Sequence, residues 1–302
     1  MNTPDRFEEA LGDSSVSSIK LTGDVQIGKT ETIDRPLVLD LNGKTITTTQ
    51  TGKTYMINVK SGGKLTLKNG TLNGNWRTGL AQNGGEIIVE SGTYTSNTNA
   101  VFEARTGGKV TINGGTLTGP EGAVLAPSNG GIIEVNGGVL EGLDNFAIAT
   151  NGNAGNKNNV ITVNGGKLIG NIRTAGYEAI GVYIANQDTF VMNDGEIIAH
   201  GGTAICMRGG HATINGGKIT ATGTDKNGNP VADGKIADDP TVMTGVSAIV
   251  YHKATGYQFA GMQLDITGGV ITGVDKSIDV ISDEATPNIH VTGGTLTPAY
   301  AA

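Results

Sequence analysis

The sequence predicts an all-β protein: a right-handed, single-stranded parallel β-helix of about eleven turns with a short α-helix capping its N-terminal end. Three observations predict this fold. A unit of about 22 residues recurs along most of the 302-residue chain. Each unit carries short apolar stretches that alternate at the period of a β-strand. No helix-length segment separates these stretches, which excludes strand–helix–strand units.

Residues 1–14 are predicted to form the capping helix. Thr3 suits the N-cap, Pro4 suits the first helical position, and RFEEAL supplies the body of the helix. A cap is needed because the open end of a coil exposes unpaired strand edges. The side chains expected to cover the first turn of the coil are Phe7, Ala10 and Leu11.

Residues 15–302 are assigned to the coil, whose units align on the residue after the first strand, as in KVTINGGTL. Two weaker copies, 17–27 and 36–46, precede the regular series. The aligned residues are Lys68, Glu90, Asn113, Asn136, Asn164, Asn193, Asn215, Thr267 and Thr292. Their spacings are 22, 23, 23, 28, 29, 22, 52 and 25 residues. The period with three strands favours the right-handed form, because the left-handed form commonly follows a shorter hexapeptide repeat.

Within each unit, the first strand places two apolar residues on one face. These pairs are Leu65/Leu67, Ile87/Val89, Val110/Ile112, Ile133/Val135, Ile161/Val163, Phe190/Met192, Ala212/Ile214, Leu264/Ile266 and Ile289/Val291. A second strand adds one apolar residue, such as Leu117, and a third strand follows, as in AVFEA. Equivalent residues recur once per unit, so each turn is expected to stack on the last at about 4.8 Å. Eleven turns then form a rod about 50 Å long.

The turn after the first strand is rich in Asn and Gly, which tolerate a positive φ angle. Because the Asn residues recur at equivalent positions, we expect their side chains to form a hydrogen-bonded ladder along the rod. Insertions that break the repeat are the expected sites of recognition. They are predicted at 73–79, 151–159, 170–179, 222–245 and 252–261.

Composition excludes several classes of function. A formal charge of −7 argues against a nucleic-acid-binding surface, which needs a basic stripe. No apolar run approaches the roughly 20 residues of a membrane span. The N-terminal residues lack the pattern of a signal peptide. The single Cys206 lies in an apolar strand, where a small buried side chain is expected.

Catalytic and metal-binding patterns are weak. Glycoside hydrolysis needs two neighbouring carboxylates, but Glu103 and Asp279 belong to distant units. The four histidines are scattered over different units, so we expect no metal site and no cofactor. The segment 225–234 resembles a Ca²⁺ loop only faintly, since it lacks the bidentate Glu at the twelfth position.

Carbohydrate recognition is the binding chemistry that the sequence supports best. Aromatic faces flanked by polar groups suit sugar rings. The candidate ligand-binding residues are Trp76, Arg77, Tyr177, Tyr183, Tyr251 and Tyr257. The alternative for each aromatic residue is a structural role, in which its side chain packs into a corner of the coil and binds no ligand.

The repeated GG-x-[VI]-x-[VI]-N-G-G-x-[LI]-x-G unit, preceded by LVLDLNGKTI, resembles the right-handed β-helix proteins of the pectate-lyase-like superfamily over residues 15–298. That superfamily includes pectate lyases, polygalacturonases, phage tailspikes, phage head fibres and bacterial surface adhesins. Its lyases share a Ca²⁺-binding Asp cluster with a catalytic Arg or Lys, and its hydrolases share paired Asp with His and an Arg-Ile-Lys string. Neither set of residues occurs in this sequence, so the resemblance implies a non-enzymatic member.

These observations lead to the hypothesis of a phage virion fibre or capsid-decoration protein, assembled as a trimer with other virion proteins and binding host glycans. A fragment of a bacterial surface adhesin, located outside the cell, is the alternative. A polysaccharide lyase or hydrolase ranks third.

Overall fold

The computed structural model describes residues 3–151, 158–171, 179–230, 235–236, 239–243, 247–252, 261–281 and 287–298. They form a parallel β-helix, which confirms the predicted fold class. Helix α1 (Pro4–Gly12) begins at the N-cap Thr3, whose side chain accepts a hydrogen bond from the backbone N–H of Arg6. Its apolar face is buried against the first turn as predicted, through Phe7, Ala10 and Leu11. None of the helices in the described part of the chain has the length and hydropathy needed to cross a membrane.

The first parallel sheet has eleven strands in the described residues. They are β1 (Ser18–Lys20), β4 (Pro36–Asp40), β7 (Lys64–Lys68), β10 (Glu86–Val89), β13 (Lys109–Ile112), β16 (Ile132–Val135), β19 (Val160–Val163), β22 (Thr189–Met192), β25 (His211–Ile214), β30 (Gln263–Ile266) and β33 (Ile289–Val291). Each strand pairs with the equivalent strand of the next turn, so like residues stack: Val110 lies opposite both Ile87 and Ile133.

The second parallel sheet also has eleven described strands. They are β2 (Val25–Ile27), β5 (Thr45–Thr48), β8 (Thr71–Gly74), β11 (Thr93–Ser96), β14 (Thr116–Gly119), β17 (Val139–Gly142), β20 (Lys167–Asn171), β23 (Glu196–His200), β26 (Lys218–Ala221), β31 (Val270–Thr272) and β34 (Thr295–Thr297). Along most of the sheet, an apolar residue at the same position of each strand faces the core, for example Leu72, Leu117 and Leu140.

The third parallel sheet has ten described strands. They are β3 (Glu31–Ile33), β6 (Tyr55–Val59), β9 (Arg77–Gln82), β12 (Ala100–Arg105), β15 (Gly122–Ala126), β18 (Phe146–Thr150), β21 (Ile180–Ile184), β24 (Thr203–Met207), β29 (Ser247–His252) and β32 (Lys276–Ile281). The first three of these strands were not anticipated, because their segments do not match the later copies. A separate antiparallel pair, β27 (Lys235–Ile236) and β28 (Asp239–Met243), lies within the long gap between units.

The core lies inside the coil, and the predicted inward pairs are buried in every turn but the last. In the last turn, Ile289 is partly exposed and Val291 is 38% exposed. The reason is positional, because a residue at the end of a coil has a neighbouring turn on one side only.

The Asn ladder is present as predicted. Each Nδ2 donates to the side-chain oxygen of the preceding turn over 2.8 to 2.9 Å, from Asn215 at one end to Glu90 at the other. Thr267 adds a further step, since its hydroxyl donates to Asn215 over 2.9 Å. The ladder members between the two ends are Asn113, Asn136, Asn164 and Asn193. A side-chain amide can donate and accept at once, which allows the chain of bonds to continue.

The predicted insertions differ from what the structure shows at 73–79. This segment is no insertion, because it consists of the end of β8, a two-residue corner and the start of β9. Its Asn and Gly residues resemble a loop in sequence, yet Asn73 pairs with Thr95 across the second sheet. Of the other predicted insertions, residues 152–157, 172–178 and 253–260 lie outside the described residues.

Candidate ligand-binding site

The third sheet differs from the other two in the chemistry of its outer face. In the first sheet, buried and less buried residues alternate, as in Lys109–Ile112. In the third sheet, both faces are buried along most strands, as in Ala100–Arg105 and Thr203–Met207. Cys206 belongs to this face and is fully buried, as the sequence predicted. The third sheet therefore differs from the alternating pattern of the repeat, because its outward-facing residues are also buried.

A buried carboxylate organises this face near the N-terminal half of the rod. Glu103 of β12 is fully buried, and it pairs with Arg77 of β9 through Oε2 and with Arg105 through Oε1. The Tyr55 hydroxyl of β6 donates to the same Oε2 over 3.1 Å. Two guanidinium groups and one phenol thus offset the cost of burying the charge. The network ties three consecutive strands together.

Arg77 is held by its neighbours rather than left free at the surface. Its Nε donates to Asn99 Oδ1 over 2.6 Å, and its Nη1 donates to the Tyr55 hydroxyl over 3.2 Å. Its Cζ lies 4.1 Å from the centroid of the Trp76 ring, within the range of a cation–π interaction. Trp76 and Tyr55 meet edge to face, with centroids 5.4 Å apart. Burial raises the pKa of Tyr55, so its phenol stays a neutral donor.

Two grooves adjoin this cluster. The first has a volume of about 550 Å³ and is lined by Trp76 and Arg77 together with polar side chains of neighbouring turns, including Lys53, Asn75, Asn99 and Glu121. The second has a volume of about 330 Å³, and its lining includes Phe146 and Tyr183, whose ring centroids are 5.3 Å apart. Arg77 and Glu121 line both grooves. An apolar ring beside several hydrogen-bonding groups is the arrangement that binds sugars.

The N-terminal two fifths of the chain match a known protein family. Residues 1–121 match the family model described as "Putative pectate lyase-like adhesive domain". The described chain is a parallel β-helix, and its first 121 residues are pectate-lyase-like. No curated protein and no solved structure matches it.

The structure divides the predicted binding residues of this β-helix into three groups. Trp76 and Arg77 lie together at the first groove, and Tyr183 lines the second. Tyr251 was predicted wrongly as an accessible aromatic. It is fully buried inside the coil, where its hydroxyl donates to the Met262 carbonyl over 3.0 Å. The other two predicted residues, Tyr177 and Tyr257, lie outside the described residues.

Sequence reasoning missed several residues of the site. Tyr55, Asn99, Glu121 and Phe146 were not singled out, because none stands out within its own unit. Tyr55 lies opposite Arg77 in the register of the third sheet, and Glu103 lies three residues beyond the level of Arg77 in the next turn. The signal that could have found them is the stacking register, which brings together residues about one repeat apart.

The two candidate catalytic carboxylates and residues 225–230 of the candidate Ca²⁺ loop can be located among the described residues. Glu103 and Asp279 lie on strands β12 and β32, six steps apart in the third sheet, or about 29 Å at the spacing of parallel strands. Asp225 accepts hydrogen bonds from the backbone N–H groups of Asn227 and Asn229, so its carboxylate is engaged by its own loop. Within the described part of the chain, no group of three or more His, Cys, Asp or Glu side chains is placed to hold a metal ion.

Proposed function

We propose that this protein is a non-enzymatic adhesive β-helix that binds carbohydrate in the groove beside Trp76. The observation that carries the proposal is the Tyr55–Trp76–Arg77 cluster, which holds an indole ring at the wall of a groove of about 550 Å³. The groove also presents amide, ammonium and carboxylate groups that can bond sugar hydroxyls. The adhesive description of the family that residues 1–121 match supports a binding role.

The positions of the carboxylates at and beside the groove suit ligand binding better than they suit hydrolysis. Hydrolysis needs one protonated and one ionised carboxyl group facing the same bond. Glu103 is fully buried and paired with two arginines, so it has no access to a ligand. Glu121 is then the one described acidic side chain that lines the groove. A single accessible carboxylate suits hydrogen bonding to a bound glycan.

The site is tested by measuring glycan binding on an array with the wild-type protein and the Trp76→Ala variant. We expect the variant to lose at least about tenfold in affinity, or about 1.4 kcal/mol, because the stacking face is removed. Val274→Ala is the control, since Val274 is 50% exposed and lies away from both grooves. Equal binding by all three proteins would contradict the proposed site.

The proposal places the protein at a surface, where adhesive domains act. A bacterial surface adhesin agrees best with the matched family description. The second candidate is a phage virion fibre or capsid-decoration protein that binds host glycans. It is favoured by the rod, whose stacked turns are joined by three parallel sheets and by a continuous Asn ladder. Copurification with virions would support the second candidate, and cell-wall fractionation would support the first. Light scattering tests the proposed trimer, which a monomer at micromolar concentration would contradict.

A further inference from the structure

We propose that the ligand of this site is an uncharged glycan chain that runs along the rod through both grooves, and that Glu121 at their junction excludes acidic sugars. This inference rests on the proposed carbohydrate-binding function and specifies its ligand. It follows from the shared lining of the grooves, from their aromatic ends and from the charges between them.

The two grooves adjoin. Arg77 and Glu121 belong to both linings, so the two spaces meet at these side chains. Each groove has an aromatic contribution to its lining, from Trp76 in the first and from Phe146 and Tyr183 in the second. A ligand that contacts the aromatic residues of both grooves must therefore pass Glu121.

The path is long enough for several sugar rings. Trp76 immediately precedes β9 and Tyr183 lies in β21, and these strands are four steps apart in the third sheet. Four steps span about 19 Å at the spacing of parallel strands. The direction is along the axis of the rod, so an extended chain can contact equivalent positions of successive turns. A single sugar would reach only one aromatic pair.

The one arginine among the described lining residues, Arg77, is poorly placed to bind a carboxylate on the ligand. Glu103 compensates the charge of Arg77, and the Nε and Nη1 donors of Arg77 are bonded within the protein. One face of the Arg77 guanidinium group is covered by the Trp76 ring. A bidentate clamp on a ligand carboxylate requires two free parallel donors, which Arg77 does not offer.

Glu121 places a negative charge at the junction. Its side chain is exposed, and one of its oxygens accepts a hydrogen bond from Asn99 Nδ2. It forms no ion pair with any residue that the structure describes. Lys53 lies in the first groove only, so the second groove has no uncompensated positive side chain among its described lining residues. A carboxylate remains able to accept hydrogen bonds from sugar hydroxyls, but it repels a sugar that carries its own carboxylate.

The test is titration calorimetry with defined oligosaccharides at low and moderate salt. The uncharged probes are cellohexaose, maltohexaose, mannohexaose and chitohexaose, and the acidic probe is hexagalacturonate. The disaccharide of each series measures the contribution of length. We expect at least one uncharged hexaose to bind ten times or more tightly than its disaccharide, with hexagalacturonate binding at least ten times more weakly.

Two variants test the two parts of the inference. Tyr183→Ala should reduce affinity for the best hexaose about tenfold and leave its disaccharide unaffected. Glu121→Gln should raise affinity for hexagalacturonate about tenfold, because the amide keeps an acceptor without the charge. Val274→Ala is again the control, and circular dichroism of each variant shows whether the fold is retained.

The outcomes are distinct. Binding of hexagalacturonate as tightly as the best uncharged hexaose, with loss on Trp76→Ala, would overturn the inference and leave the proposed function standing. An unchanged hexaose affinity in a folded Tyr183→Ala variant would also overturn it. If neither the four uncharged hexaoses nor hexagalacturonate binds, both the inference and the proposed function are wrong.

Discussion

Glu103 illustrates how one residue departs from the rules of the repeat. At the equivalent position of adjacent turns stand Leu80 and Leu125, so an apolar residue would continue the stack. The carboxylate is instead buried between Arg77 and Arg105. Buried ion pairs add little net stability compared with apolar packing, but removal of one member leaves a charge without its partner. Here the pair holds Arg77, whose Cζ lies 4.1 Å from the centroid of the Trp76 ring.

Replacement of Glu103 by Gln should therefore be costly. We expect the free energy of unfolding in urea to fall by about 3–5 kcal/mol, because Arg77, itself only 9% exposed, loses its counter-charge. Fluorescence of Trp76, the only tryptophan, should also shift as the guanidinium moves. Lys276→Gln is the control, since Lys276 is 56% exposed and its ion pair with Asp279 should contribute less than about 1 kcal/mol. A loss below 1 kcal/mol for Glu103→Gln would show that the pair is not a structural requirement.

At the scale of elements, the corners of the coil carry the constraints that make each turn close. The glycine that ends the second strand is one example. A Cβ built on Gly142 would lie 2.0 Å from the carbonyl oxygen of Phe146, and one on Gly119 would lie 2.3 Å from that of Gly122. The chain doubles back so tightly between the second and third strands that only glycine fits. This contact explains the last glycine of the repeated unit.

A second corner, ahead of β19 and β22, is held by buried polar groups. Asp188 is 1% exposed, and its Oδ1 accepts hydrogen bonds from the backbone N–H of Asn159 over 2.8 Å and from Asn159 Nδ2 over 3.1 Å. Asn159 Oδ1 in turn accepts from the backbone N–H of Gly131 over 2.8 Å. Burial raises the pKa of Asp188 above its ordinary value of 3.8, although the bonds from Asn159 oppose the shift.

The raised pKa of Asp188 predicts a pH dependence of stability. The folded protein holds this proton more tightly than the unfolded chain does, so the stabilising contribution is complete below the unfolded pKa of about 3.8 and is lost as the pH rises through the folded pKa. Asp188→Asn keeps an acceptor for Asn159 without the charge. Relative to wild type, the variant should therefore gain stability at pH 7 and lose that gain towards pH 3.5. Urea unfolding of both proteins between pH 7 and pH 3.5 measures this difference in the free energy of unfolding. A difference that does not change with pH would contradict the raised pKa of Asp188.

At the scale of the whole molecule, the first and the last described turns of the rod differ in the contacts that hold them. Helix α1 covers the first turn, and Arg35 donates to the carbonyl oxygens of Leu11, Ala10 and Val16, which fixes the end of the helix to the coil. At the other end, the described residues of β33 and β34 have a neighbouring turn on one side only. Their last turn is secured by Asp265, which contacts His211 at 2.7 Å and His290 at 3.0 Å.

This asymmetry predicts the order of local unfolding. Hydrogen exchange measured by mass spectrometry should show the strongest protection in the central turns and faster exchange in β33 and β34 than in β1 and β2, because local stability follows the number of neighbouring turns. Phe7→Asp should raise exchange in β1 and β2 without changing β33, since Phe7 is 1% exposed under the helix. Equal protection at the two ends would contradict the capping role of α1.

The sequence by itself determined the rod. The inward apolar pair recurs from turn to turn, and many turns share the Asn-Gly corner and the closing glycine, so local patterning was enough to predict most strands, the ladder and the cap. Strands β3, β6 and β9 were not predicted, because their sequences do not match the later copies of the third strand. The Asn-rich corner at 73–79 was predicted as an insertion, which was wrong.

Only the tertiary structure decided the site. Tyr55, Arg77, Glu103 and Glu121 lie in four different turns, and the stacking register brings them together at spacings that no motif encodes. The same packing removed Tyr251 from the surface, because an aromatic residue in an alternating strand faces inward or outward according to its register alone. The repeat therefore determines which turns are neighbours, and the contacts between those turns determine what the rod can bind.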